Sequence, residues 1–202
     1  MKELLRTALP LMAAALVATI NQFVDRLFLG HVSDVALEAI TPVTVLTTVF
    51  SCVFLEVIAY SGTFVAQYSG RHRHVQAVRA LAQGLWLSAA TAPLVLALVP
   101  VGNLVIGQLG HTAELVAAER TYFSIVFPSF VFVCFSTALG AYFTAVRRAR
   151  LVGGAQIAAC FANMLLDALF VPRFGMAGAA WSSVLAAALP CLILGAALAR
   201  RR

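Results

Sequence analysis

The sequence predicts an all-α integral membrane protein, a bundle of six transmembrane helices with both termini on the cytoplasmic side. Three observations predict it: an apolar composition, long uncharged runs, and cations gathered on one side of those runs. Of 202 residues, 62% are hydrophobic and 11% charged, and mean hydropathy is +0.95. A soluble domain carries roughly 25% charged residues, so this chain has more apolar surface than a water-soluble fold can hide. A bilayer with a ~30 Å core asks for about 20 mostly apolar residues per spanning helix.

The runs follow in order. The first, Ala8 to Gly30, comes after Lys2 and Arg6 and is too long for the apolar region of a signal peptide. The second and third, Ala39 to Ser69 and Ala80 to Leu109, exceed the bilayer thickness, which predicts tilt or an extension into the interface. The fourth spans Tyr122 to Ala145, the fifth Leu151 to Val171 and the sixth Met176 to Ala199, making one domain over residues 1–202. Pro93, Pro100 and Pro128 fall inside runs, where neighbouring helices can satisfy the freed backbone groups.

Orientation comes from the arginines and lysines. One side receives Lys2 and Arg6, then Arg71, Arg73 and Arg79, then Arg147, Arg148 and Arg150, then Arg200 to Arg202. The opposite loops hold Arg120 and Arg173 beside Asp34, Glu38, Glu114 and Glu119. Cation-rich loops stay cytoplasmic, so both termini are expected there, in the inner (plasma) membrane of the cell. The net charge of +6 and pI near 9.7 do not indicate nucleic acid, because the cations are dispersed among loops and do not form one stripe. Cys52, Cys134, Cys160 and Cys191 all lie in apolar stretches and imply neither a disulfide nor a metal motif.

Charge at bilayer depth costs about 2.5 to 3.5 kcal/mol on insertion scales, so ionisable residues kept inside spans point to function. Four are present: Asp25, Arg26, Glu56 and Asp167. With a rise of ~1.5 Å per residue, Asp25 stands about 25 Å above the start of its run and Asp167 about 24 Å above the start of its own. The two carboxyls are level. Asn21 and Asn163 lie one turn below them on the same helix faces, and Ser182 and Ser183 reach a similar height in the last run. An oxygen-only cluster suits H+ or Na+ and not a soft transition metal. Arg26, adjacent to Asp25, does not face it on a helix and is expected to extend to the outer headgroups.

Glu56, Tyr60, Thr63 and Gln67 form a second polar stripe at helical spacing. It is expected either to line a substrate cavity, for which Asn21 is a further candidate, or, for Glu56, to reach a loop arginine near the cytoplasmic surface. Tyr60, Trp86, Tyr122 and Tyr142 are candidates to stack on an organic cation, although aromatic residues in spans more often anchor the interface. No enzyme is indicated. His31, His72, His74 and His111 are in loops, Ser61 lacks the first glycine of a GxSG motif, no His-Glu-x-x-His is present, and Asp167 lacks the GxGD context of an aspartyl dyad. No cofactor is implied beyond the coupling ion.

The residues of the cluster also carry a family resemblance. Leu9-Pro10, Asn21-Gln22-Phe23-Val24-Asp25 and Phe28-Leu29-Gly30 resemble the first helix of the multidrug and toxic compound extrusion (MATE) transporters. Val65 to Gly70 is similar to the end of that family's second helix. Asn163 to Asp167 and Phe174 to Ser183 resemble its N..LD segment and the turn into its sixth helix. The resemblance covers essentially the whole chain, but only the amino-terminal lobe of a two-lobe transporter. It implies a cation site at Asp25, Asn163, Asp167 and Ser183, with serine standing where threonine is common. It further implies H+- or Na+-driven export of amphipathic, often cationic small molecules. A second lobe would then be needed, either another copy of this chain in a homodimer or a carboxy-terminal half. A lipid or lipid-linked oligosaccharide flippase of the wider superfamily shares the layout but would be expected to have a cationic cavity. A non-transporting scaffold or inactive fragment would show no response to cations.

Overall fold

A computed structural model describes residues 2–30 and 34–200, and every regular element among them is helical. His31, Arg201 and Arg202, with the side chains of Lys2, Arg6 and Pro10, are outside what is described. Helix α1 runs Lys2–Gly30, α2 Asp34–Gly70, α3 His74–Gly107, α4 Ala113–Val126, α5 Phe130–Ala145 and α6 Ala149–Ala199. A short 3-10 turn, Phe127–Ser129, joins α4 to α5, and Pro128 sits in it, where a missing N–H is tolerated. Five helical stretches are long and apolar enough to cross a membrane, with α4 and α5 counted as one.

The last of the five is a hairpin. Gly175 has φ 56° and ψ −134°, a conformation open essentially to glycine alone, and it divides α6 into limbs 149–174 and 176–199. Ser182 hydrogen-bonds Asp167, 15 residues earlier. In a straight helix these residues would be about 22 Å apart, so the limbs run antiparallel. Gly178 lets them meet, because any side chain there would strike the Phe170 carbonyl.

Helix ends differ from the edges of the apolar runs for a local reason. The fourth apolar run begins at Tyr122, yet α4 begins at Ala113, because the Thr112 side chain accepts the Leu115 N–H at 3.4 Å and caps the helix. Glu114, in the first turn, suits the positive end of the helix dipole. Glu119 and Arg120, which read as loop residues in the sequence, are therefore helical.

Three apolar clusters succeed one another along the bundle. Leu29, Ala36, Ile40, Val171 and Ala179 form the first, at the end where α1 gives way to α2. A middle cluster is built on Val43, Ile58, Val95 and a run of rings, Phe123 stacked on Phe127 at 4.9 Å and Phe127 on Phe130 at 6.3 Å. The third joins Val65, Leu81, Leu139, Phe143, Val152 and Leu194. Outside these, large apolar side chains such as Met12, Val53, Trp86, Leu104 and Leu192 are exposed, Trp86 by 77%. So much uncovered apolar surface fits lipid as the solvent.

At the end of the third cluster two turns have the same construction. Arg73 N–H bonds the Tyr68 carbonyl at 2.9 Å and His72 N–H that of Ser69 at 3.1 Å, while Arg148 bonds Phe143 at 2.7 Å and Arg147 bonds Thr144 at 3.0 Å. Both are Schellman turns with a non-glycine residue in the left-handed position, His72 at φ 56° and Arg147 at φ 62°. These turns carry Arg71, Arg73, Arg147 and Arg148, whereas Asp34, Glu38 and Glu114 lie at the opposite end. The charge asymmetry of the sequence is thus an asymmetry between the two ends of the folded bundle.

Candidate cation site between the first and last helices

Helix α1 packs chiefly on α6. Each contributes an Asn–Asp pair spaced by four residues, which a helix places on one face. The Asn21 amide donates to Asn163 Oδ1 at 2.8 Å and lies 3.3 and 3.4 Å from the Asp25 carboxyl oxygens. Asn163 Nδ2 in turn stands 3.3 Å from Asp167 Oδ2 and 3.3 Å from Ser182 Oγ. Ser182 donates to Asp167 Oδ1. Asp167 and Ser182 are almost fully buried, Asn21 and Asn163 are buried, and Asp25 is half-buried.

The Asp25 and Asp167 carboxyls are linked through the Asn21–Asn163 hydrogen bond and are close enough to act on each other electrostatically. Two neighbouring carboxylates repel unless a proton or another cation lies between them. Among the described residues no lysine, arginine or histidine pairs with either one, and Arg26 is exposed. Asn21 Oδ1 is buried without a hydrogen-bond partner. The seam therefore holds two carboxyls, two amide oxygens and a hydroxyl, a donor set for a hard monovalent cation or a shared proton.

Asp25, Asn163 and Asp167 are brought together as the sequence suggests, and Asn21, there a cavity candidate, joins them. Ser183 stands at the edge: its hydroxyl donates to the Ala179 carbonyl at 3.0 Å and neighbours the Tyr122 phenol, while Ser182 makes the carboxyl contact. Tyr122, in the sequence a candidate either to stack on an organic cation or to anchor the interface, sits close to both carboxyls. Glu56, Tyr60, Thr63 and Gln67 are all exposed on one uncovered face of α2 and take no part in the carboxyl cluster. Glu119 escaped the sequence reading. It is fully buried, and the signal was its helical spacing with Val116, Phe123 and Phe127 on an otherwise apolar face.

Comparison with known proteins identifies the family. The MatE family model matches residues 10–169. The chain belongs to the MatE family. Solved MATE transporters share its fold: a multidrug resistance MATE family transporter in an outward-facing conformation has a TM-score of 0.84 at 18% identity, with 98% of this chain and 44% of that one covered. The same description in an inward-facing conformation gives 0.75 at 17% identity, covering 97% and 45%. A MOP superfamily transporter from Pyrococcus furiosus gives 0.82 at 18% identity, covering 98% and 44%. No curated protein matches the sequence. The chain spans less than half the length of the solved transporters it matches. Family and apolar helices make it a multi-pass membrane protein.

Proposed function

We propose that this MatE chain is the cation-binding lobe of an antiporter that exports amphipathic, often cationic organic molecules in exchange for H+ or Na+. The observation that carries this reading is the pairing of Asp25 with Asp167 across the Asn21–Asn163 link, where among the described residues no basic side chain offsets their charge. In one state a proton or Na+ joins the carboxyls and holds α1 against α6; in the other, the charged carboxyls repel and the seam loosens. A bound cation shifts such an equilibrium only by its differential affinity for the two packings.

In the full reading the hairpin in α6 supplies two passes, so that six passes return the chain to its starting side. The arginine-rich end, which holds both Schellman turns, is cytoplasmic, and the membrane is the cell's inner (plasma) membrane. The exposed α2 stripe of Glu56, Tyr60, Thr63 and Gln67 faces the substrate path. A second lobe completes that path, supplied by a carboxy-terminal half or by another copy related about the membrane normal.

The test is efflux of a fluorescent lipophilic cation from cells expressing the protein, with Asp25→Asn and Asp167→Asn compared to the unaltered chain. Both variants are expected to insert normally and lose cation-driven efflux. Efflux that both variants leave unchanged sinks the assignment.

A further inference from the structure

The geometry points to a second cation site in this lobe, between Glu119 of α4 and Thr47 of α2, that takes up one monovalent cation, H+ or Na+, independently of the Asp25–Asp167 seam. Glu119 is 0% exposed, and its carboxyl is asymmetrically served. Oε1 meets His111 Nδ1 at 2.7 Å, while Oε2 is buried with no hydrogen-bond partner. Buried unsatisfied oxygens of this kind are rare and call for an explanation such as a bound ion or proton, and a buried acid at membrane depth is costly unless it has a use.

Thr47 supplies the matching observation. Thr19, Thr48 and Thr121 each turn their hydroxyl onto the carbonyl four residues back, at 3.1, 2.8 and 2.8 Å. Thr47 does not, and its Oγ1, like Glu119 Oε2, is buried without a hydrogen-bond partner. The two oxygens come from the same level. Helices α2 and α4 run in the same direction along the bundle, and Phe50 of α2 meets Phe123 of α4 edge-on at 6.4 Å. Thr47 is three residues before Phe50 and Glu119 four before Phe123, so each lies one turn further along the face that makes this contact. Two unpartnered hard oxygens thus stand above one aromatic contact between adjacent helices.

The surroundings are firm. Arg120 donates from Nε to the Asn103 carbonyl at 3.1 Å, Asn103 Nδ2 donates to Ser124 Oγ at 3.0 Å, and Phe123 lies over Gly102. His111, a third exposed at its side chain, connects Glu119 to the aqueous side. Of the other charged groups described at this end, Arg26 of α1, Asp34 and Glu38 of α2, Glu114 and Arg120 of α4 and Arg173 of α6 are exposed, while Asp25 and Asp167 lie in the first seam near Tyr122, one turn from Glu119 on α4.

The test uses the detergent-purified chain with Asp25→Asn and Asp167→Asn as background, which silences the first seam. The thermal midpoint is followed against NaCl, with choline chloride at equal ionic strength as control, and separately against pH at fixed Na+. A rise with Na+ identifies Na+ as the occupant, and a rise on acidification alone identifies the proton; either supports the site provided Glu119→Gln removes it. Thr47→Val is expected to raise the half-saturating concentration by about tenfold, the effect of one lost polar contact of ordinary strength. No response in this background overturns the proposal, as does a response that Glu119→Gln leaves intact. If Glu119→Gln does not fold, an unchanged response in Thr47→Val overturns it. Failure here leaves the Asp25–Asp167 reading standing, since that seam is tested by efflux in the unaltered background.

Discussion

The Asn21 amide on the first helix meets the Asn163 carbonyl oxygen on the last at 2.8 Å, a side-chain link across 142 residues of sequence. Asn163 also stands beside Asp167 and Ser182, so it is the hub of the seam and Asn21 a spoke. Hydrogen bonds between membrane helices contribute about 0.6 kcal/mol on average and up to ~1.7. Asn21→Ala is therefore expected to cost about 1 kcal/mol and Asn163→Ala about 2 or more, because the latter strands several partners. Denaturant titration of the purified chain measures both, and a reversed order would contradict the hub.

Ser182 and Ser183 are adjacent in sequence but point to different neighbours. Ser182→Ala removes the hydroxyl that donates to Asp167, whereas Ser183→Ala removes only contacts with Ala179 and Tyr122. In Na+ or pH titrations of thermal stability, Ser182→Ala is expected to shift the midpoint of the response by about tenfold. Ser183→Ala should leave it within about twofold. Equal shifts would mean that the hydroxyl next to Tyr122 also belongs to the cation shell.

The hairpin depends on two glycines for different reasons. Gly175 adopts a backbone conformation that costs other residues about 1 to 3 kcal/mol. Gly178 has no room for a Cβ against the Phe170 carbonyl. Gly175→Ala and Gly178→Ala should each lower the thermal midpoint and increase protease cleavage of the chain. Gly195→Ala, where a Cβ meets nothing within 4 Å, is the control and is expected to be neutral.

Topology is open to direct measurement. In a background where Cys52, Cys134, Cys160 and Cys191 are replaced, His72→Cys should react with a membrane-impermeant maleimide only from the cytoplasmic side. Thr112→Cys should react only from the outside. Labelling of both positions from one side would refute the assigned orientation.

Hydropathy made the spans legible because bilayer thickness and helix rise are fixed, and the same constancy put Asp25 and Asp167 at one height. Height along a helix can be read from residue number, but direction around it changes by about 100° per residue. That is why Ser182 and Ser183 were equivalent in the sequence and differ in the fold. Glu119 was hidden for another reason: charges at 114, 119 and 120 resemble a loop, and it takes the Thr112 cap together with the helical spacing of Val116, Glu119 and Phe123 to show that the helix begins ahead of them. The internal link of Asn21 to Asn163 needs the packing of α1 on α6, which no local pattern encodes.

The corner at Gly175 sets a gearing. Asp167 and Ser182 lie about 12 and 10 Å along their limbs from it, while the limbs extend about 39 and 36 Å to their far tips. Any change in the angle between the limbs therefore separates the tips about three times as far as it separates the carboxyl from the hydroxyl. A displacement the width of a single ion at the seam emerges at the arginine-rich end as a movement comparable to the diameter of a side chain.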